Sequence, residues 1–153
     1  MKGVPARLHQ DAARIALIAE SYARLLGRDL VTPATDVVAA VWNAPLAVVA
    51  HGTEADPLFF FANRAALGAF DADLAQFIGL PSRLSAEAPL REERQALLDR
   101  VSRDGFIDDY RGIRISLAGR RFEIRNAVVW NLVDGLGQRH GQAACFALPG
   151  QSD

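Results

Sequence analysis

The alternation of apolar and polar residues over the last third of the chain is the strongest constraint on its fold. Three alternating segments, at about 106–116, 120–132 and 138–147, are separated by short turns that contain glycine. This pattern predicts three strands with one buried face. Because the turns are short, consecutive strands must be antiparallel neighbours in one sheet.

One polar residue interrupts the buried phase of the middle segment. Asn126 stands where the alternation through Phe122, Ile124 and Val128 predicts an apolar core residue. A buried amide costs a few kcal/mol unless it is hydrogen-bonded. The sequence therefore predicts either a ligand held by Asn126 or an internal hydrogen-bond network around it.

The turns decide which residues accompany Asn126. If Ala118-Gly119 is a two-residue turn, Arg111 lies opposite Asn126. An odd-length turn at 133–137 keeps Phe146 on the buried face, which is worth roughly 2 kcal/mol. This register predicts an inward, ligand-binding polar group made of Arg111, Asn126, Gln142, His140 and Trp130.

The rest of the chain supplies helices and two more strands. Residues 8–26 predict a helix, and LAVVA at 46–50 predicts a central strand that is buried on both faces. A second strand is predicted at 58–61, followed by a helix that Asn63 caps. A longer helix is predicted from Pro89 to about Asp104. This order indicates an α+β fold.

The predicted first helix carries a heptad seam, in which apolar residues are spaced alternately by four and three. Such a seam packs either on the small apolar residues of the sheet or on a second copy of the chain. If it forms a dimer, the interface is predicted to contain Leu8, Ile15, Ile18, Tyr22 and Leu26.

The polar connector LPSRLSAEAP, at 80–89, is a second candidate binding region. Arg83 has the chemistry to bind a carboxylate or phosphate through two parallel hydrogen bonds, and Ser82 and Ser85 lie beside it. The alternative is a structural arginine that ties the connector to backbone carbonyls. No metal site is predicted, because His51 and His140 come from separate turns and the chain has one cysteine.

Composition narrows the class of protein. The chain has 153 residues, 50% of them hydrophobic and 23% charged, with a net charge of −1. We therefore expect one globular domain at 1–153 with no nucleic-acid partner. No apolar stretch approaches the ~20 residues of a membrane span, and the N-terminus has no basic-then-apolar leader. We accordingly expect a cytoplasmic protein with no membrane partner.

Several uncommon strings resemble one family, the MEKHLA domain, a branch of the PAS-like fold. They span about 21–146 and are SYARLLGRDL, HGTEADPLFFFANRAAL, LPSRLSAE, GFIDDYRGIRISLAGRRFEIRNAVVWNLVD and GQRHGQAACF. The hexapeptide that names the family belongs to its plant branch. This chain lacks that hexapeptide and looks like the stand-alone bacterial form. The resemblance implies a five-stranded antiparallel sheet with helices on one face and a PAS-like core at about 36–147. The first helix would pack on the other face or in a dimer.

The resemblance also implies a sensory or regulatory module rather than an enzyme. We expect a small organic ligand between sheet and helices, and action through a homodimer or a protein partner. The cofactor is left open. The resemblance implies neither haem nor covalent flavin. Haem-binding PAS proteins use a histidine on the long helix, and residues 89–104 contain none. The flavin-photoreceptor branch has a cysteine after an asparagine on a middle helix, whereas Asn63 is followed here by Arg64. The alternatives are an interaction module with a filled core, or a small isomerase or hydrolase using Asp108 or His140.

Overall fold

The computed structural model describes residues 3–33, 35–86 and 91–148. Its strands are β1 (Ala47–His51), β2 (Phe59–Ala62), β3 (Phe106–Ile115), β4 (Arg121–Val133) and β5 (Arg139–Phe146). They form one antiparallel sheet in the spatial order β2-β1-β5-β4-β3. The predicted five-stranded antiparallel sheet is confirmed, and β1 is buried along its whole length as a central strand should be.

Helices cover both faces of this sheet. They are α1 (Ala6–His9), α2 (Ala12–Leu26), α3 (Val37–Trp42), α4 (Arg64–Ala69), α5 (Leu74–Phe77), a 3-10 turn (Ser82–Ser85) and α6 (Arg91–Asp104). α2 and α3 pack on one face, whereas α4 and α6 pack on the other. The predicted helix 8–26 is two helices, because Asp11 leaves the helical conformation and precedes α2. The predicted helix start at Pro89 lies outside the described residues.

Asn63 holds the helical layer to the sheet. Its Oδ1 accepts hydrogen bonds from the backbone N–H groups of Val48 (2.9 Å) and Ala66 (3.0 Å). Its Nδ2 donates to the carbonyls of Val41 (3.1 Å) and Leu46 (2.9 Å). The predicted helix cap is confirmed, and the same side chain also satisfies backbone groups beside β1.

In the single chain, the heptad seam packs on the chain's own sheet. Leu8, Ile15, Ile18 and Tyr22 are buried there and Leu26 is partly buried. Trp130 lies beneath α2 and donates its ring N–H to the carbonyl of Ile18 at 3.1 Å. α2 thus adopts one of the two predicted arrangements. Homodimerisation stays a prediction, and these side chains already pack against the sheet of their own chain.

The predicted register between β3 and β4 is wrong by one residue. Ile115 lies opposite Arg121 and Arg114 opposite Phe122. The cause is the turn, which has three residues rather than two and is closed by the Ser116 amide donating to the Arg120 carbonyl at 2.9 Å. Because side chains alternate between faces, this slip exchanges the two faces of the end of β3.

The unexpected asparagine lies in a β-bulge. Arg125 and Asn126 together lie opposite the single residue Arg111, between the pairs formed by Tyr110 and Gly112. Asn126 has a φ of 51°, and its side chain is exposed. Asparagine tolerates this left-handed conformation better than most residues with a side chain. The predicted burial of Asn126 is therefore wrong. Its role in the strand is to adopt the left-handed backbone conformation of the bulge.

The bulge reverses the phase of β4. Before it, Phe122 and Ile124 point toward α4. After it, Val128, Trp130 and Leu132 pack in the core under α2. Across the sheet, Val128 lies opposite Cys145, Trp130 opposite Ala143 and Asn131 opposite Gln142. The β4–β5 turn is closed between Asp134 and Gln138, and the register shifts between Leu132 and Val133, so Trp130 does not pair with His140. Phe146 is buried with Phe122 and Ile124, as predicted.

Candidate functional site

A cavity lies between the sheet and α6. Its volume is about 50 Å³, room for a few water molecules. Apolar walls come from Phe59, Phe70, Leu97, Ile124, Val129 and Phe146. Polar groups come from Gln142, Arg114, Tyr110, Ser85 and His51. Apolar walls with a few convergent polar groups are typical of small-molecule sites.

Gln142 brings a buried amide to the wall of this cavity. It is 1% exposed. Its Nε2 donates to Oδ1 of Asn131 at 2.9 Å. Its Oε1 is buried and has no hydrogen-bond partner among the described residues. A buried carbonyl without a donor costs about 1–3 kcal/mol, so this oxygen is suited to accept a hydrogen bond from a ligand.

Gln142 is linked to α6 through one intermediate. Asn131 accepts from Gln142 and donates its own Nδ2 to the carbonyl of Val101 at 3.0 Å. The backbone amide of Asn131 donates to the carbonyl of Gly105, which follows α6. A change in the hydrogen bonding of Gln142 therefore acts directly on the residue that holds the end of α6.

Arg114 brings a cation to the same cavity. It is 8% exposed. Its Nη2 donates to the hydroxyl of Tyr110 at 2.6 Å and its Nη1 to the carbonyl of Ile113 at 2.9 Å. Neither partner is charged, and among the described residues Arg114 has no carboxylate partner.

The cavity wall formed by α6 is lightly attached. Among the side chains described on this helix, only Leu97 and Val101 are buried, in a small cluster with Ile107 and Val129. The rest of the described side chains on α6 are exposed, apart from the half-buried Leu98. A small outward shift of α6 would therefore break few apolar contacts and enlarge the cavity.

Of the five residues predicted as an inward polar group, only Gln142 lines the cavity. Arg111 and Asn126 are exposed, and Arg111 donates to Glu123 at 2.9 Å. Hydrogen bonds from Arg111 and then Arg125 lower the pKa of Glu123. The predicted inward position of Arg111 is wrong because of the register slip between β3 and β4. Ligand binding by Arg111 and Asn126 stays a prediction that their exposure does not favour.

Trp130 and His140 lie away from the cavity. Trp130 packs under α2. His140 lies at the β4–β5 turn, where its Nε2 is 2.8 Å from Oδ2 of Asp134. This hydrogen bond holds the pKa of Asp134 below its usual range. Asp108, the other residue predicted for an enzyme, is exposed, and no carboxylate lines the cavity in the described part of the chain.

The connector contributes to the wall through Ser85 rather than Ser82 or Arg83. Ser85 lines the cavity and donates its hydroxyl to the carbonyl of Ser82 at 2.7 Å. Ser82 is fully buried, and its hydroxyl has no partner among the described residues. Arg83 is half-exposed and pairs with Asp56 at 3.1 Å. The predicted alternative of a structural arginine thus describes its contacts better, although its partner is a carboxylate.

Arg114 and Tyr110 were missed as site residues. With a two-residue turn, Arg114 would lie opposite Glu123 on the solvent face. A signal was present, because Gly119 suits the left-handed position that ends a three-residue hairpin turn, and its φ is 85°. That turn moves Arg114 to the cavity and carries Tyr110, four residues earlier, to the same side.

Thiol chemistry and metal binding have no support from the contacts of the described residues. Cys145 is buried, and burial raises the pKa of its thiol to about 12, so it has little thiolate character at neutral pH. Over residues 3–33, 35–86 and 91–148, no three His, Cys, Asp or Glu residues are grouped as metal ligands. No helix within those ranges has both the length and the apolar content needed to cross a bilayer.

The model of one protein family matches most of the chain. The MEKHLA domain matches residues 12–148. Among curated proteins, the chain is similar to homeobox-leucine zipper protein HOX29 from Oryza sativa subsp. indica and from subsp. japonica. Each is 27% identical over 112 residues, which is 73% of this chain and 13% of the rice protein. The chain thus corresponds to a small part of these relatives.

Solved structures of low identity share the fold. A PAS domain from Colwellia psychrerythraea has a TM-score of 0.63 at 14% identity, over 71% of this chain and 89% of that one. An RNA-binding light-oxygen-voltage receptor has a TM-score of 0.60 at 16% identity, over 72% of this chain and 31% of that one. These likenesses and the strand order show a PAS-like fold. Together with the family match, they show that the chain belongs to the MEKHLA domain family.

Proposed function

We propose that this domain is a non-enzymatic sensory module that binds a small organic molecule in the cavity between the sheet and α6. The PAS-like fold and the family match support a sensory module. The observation that supports ligand binding is Oε1 of Gln142, which is buried in the cavity wall and has no donor among the described residues. A ligand that donates a hydrogen bond to this oxygen would satisfy an acceptor that no described residue pairs.

The size of the cavity indicates that binding is coupled to movement. A cavity of about 150 Å³ admits benzene, whereas this cavity is about 50 Å³. A ligand larger than a few atoms therefore requires α6 to move outward, and among the described side chains of this helix only Leu97 and Val101 are buried against the sheet. The position of α6 would then report whether the cavity is occupied, as expected when a ligand selects one of two conformations.

A chain of hydrogen bonds connects the cavity to α6. Gln142 bonds to Asn131, and Asn131 bonds to the end of α6. The adjacent residues of the same strands, Ala143 and Trp130, pack under α2. We propose that ligand binding alters the docking of α6 and, through these strands, the docking of α2, and that a homodimer or a protein partner detects the change.

Native mass spectrometry of freshly purified protein, repeated after denaturation, tests the proposal. The expected result is a small non-covalent mass that disappears on denaturation and is absent from Gln142→Leu. Gln138→Leu is the matched control, since Gln138 is exposed at the β4–β5 turn and the chemical change is the same. That variant should retain the adduct.

A bare protein alone is not decisive, because a weak ligand can be lost in purification. A second measurement therefore follows the backbone ¹H–¹⁵N spectrum during addition of the low-mass fraction of a cell extract. We expect shifts centred on β5 and α6. A bare protein whose spectrum does not change under this addition would contradict the proposal.

A further inference from the structure

We infer that the ligand is a small organic carboxylate whose charged group binds Arg114 and whose apolar part fills the pocket behind it. This inference rests on the proposed function and adds a ligand class to it. Arg114 is buried, positively charged and, among the residues that the structure describes, paired only with the uncharged Tyr110 and Ile113. Buried charges in proteins are normally paired, because taking a lone ion out of water is costly.

Arg114 retains donors for such a ligand. A guanidinium has five N–H groups, and two of them are used in hydrogen bonds to described residues. The planar arrangement of the others suits a carboxylate, which accepts two parallel hydrogen bonds. The nearest exposed arginine of β3 differs in this respect, because Arg111 already pairs with Glu123.

The strand is shaped to hold Arg114 in place. Tyr110, Gly112 and Arg114 alternate along one face of β3. A methyl group at Gly112 would overlap the Tyr110 hydroxyl. The absence of a side chain there lets the Tyr110 ring lie along the strand and reach Arg114, so Tyr110 acts as a positioning residue for the guanidinium.

The opposite wall defines the rest of the ligand. Phe59, Phe70, Ile124 and Phe146 surround an apolar space, and Gln142 adds an acceptor. No carboxylate lines the cavity in the described part of the chain to repel an anion. The surroundings therefore favour a short hydrocarbon tail with one ionised carboxylate, and a hydroxyl on that tail could donate to Gln142.

The test compares propionate with propionamide, which has almost the same shape but no charge. Both are titrated into the full chain and followed by ¹H–¹⁵N spectra that include the side chains of Gln142 and Arg114. We expect propionate to shift these resonances saturably at pH 7 and propionamide to bind at least about tenfold more weakly, as the loss of a charge-assisted hydrogen bond implies.

Matched variants locate the effect. Arg114→Gln should weaken propionate binding at least about tenfold, whereas Arg111→Gln, the same change at an exposed position of the same strand, should leave it unchanged. Tyr110→Phe removes only the hydroxyl and should weaken binding by about threefold. If Arg114→Gln fails to fold, Tyr110→Phe against Arg111→Gln decides the question.

The outcomes separate this inference from the proposed function. Binding of propionamide in preference to propionate would overturn the carboxylate and leave the sensory cavity standing. Propionate binding that Arg114→Gln or Tyr110→Phe does not weaken would place the anion elsewhere and also overturn it. If neither probe binds, the inference fails, and native mass spectrometry together with the extract titration still decides the proposed function independently.

Discussion

The two faces of the sheet are packed in different ways. Under α2, Trp130, Ile18 and Leu132 are fully buried, and the rings of Tyr22 and Trp130 meet edge to face at 4.9 Å. Under α6, the sheet presents Gln142 and Arg114 beside a cavity. The sheet is therefore closely packed under α2, whereas the part of the other face under α6 holds buried hydrogen-bonding groups that the described residues leave incompletely satisfied.

The difference originates in one residue of β4. Before the bulge at Asn126, the strand directs Phe122 and Ile124 toward the α4 side. After it, the large side chains point to α2. Had the alternation continued, Val128 and Trp130 would fill the space that the cavity and Asn131 now occupy. The bulge thus directs the large side chains in the second half of β4 to the face under α2, and it leaves the cavity and its polar groups on the face under α6.

Trp130→Ala should cause the largest loss of stability in this comparison. It removes a fully buried ring, its contact with Tyr22 and its hydrogen bond to the carbonyl of Ile18. We expect the free energy of unfolding to fall by about 3–5 kcal/mol, measured by denaturant titration. Leu136→Ala is the control, because Leu136 is 89% exposed and should change stability by less than about 0.5 kcal/mol.

Leu97→Ala tests the face under α6. Leu97 is buried in a small cluster that borders the cavity, so its removal breaks fewer contacts. We expect a loss of about 2 kcal/mol, at the lower end for this substitution. Amide exchange should also accelerate in α6 more than in α2. A loss equal to that of Trp130→Ala would show that the two faces are packed alike, and it would contradict the looser packing described under α6.

Asn126→Ala should have a smaller effect. At a φ of 51°, a residue with a Cβ and no local hydrogen-bonding group is strained by about 1 kcal/mol, whereas glycine is not. We therefore expect Ala to lower the free energy of unfolding by about 1 kcal/mol and Gly to leave it nearly unchanged. Equal losses for the two variants would mean that the amide side chain, rather than the backbone conformation, matters at the bulge.

Asn126 also shows why part of the site could not be predicted. The strands and the Asn63 cap follow from local signals, namely alternation and a capping residue before a helix, and the structure confirms them. Phe146 anchored the phase of β5, which is why Gln142 was correctly expected on the inward side. Register has no such anchor, since one extra residue in a turn or bulge exchanges the faces. The three-residue turn therefore replaced Arg111 by Arg114 in the cavity.

Gln142→Leu is expected to change stability least, and it tests most directly whether the face under α6 is kept for a ligand. Leucine has a similar volume, and the change removes the buried Oε1, which has no partner among the described residues. It also removes the hydrogen bond to Asn131, whose Oδ1 keeps a contact of 3.3 Å with Nε of Arg139. These effects oppose one another, so in ligand-free protein we expect a net change below about 1 kcal/mol by denaturant titration. A loss of 2 kcal/mol or more would make Gln142 a structural residue and would remove the main evidence that the face under α6 binds a ligand. A neutral change together with loss of the bound mass would show that this amide is kept for the ligand rather than for the fold.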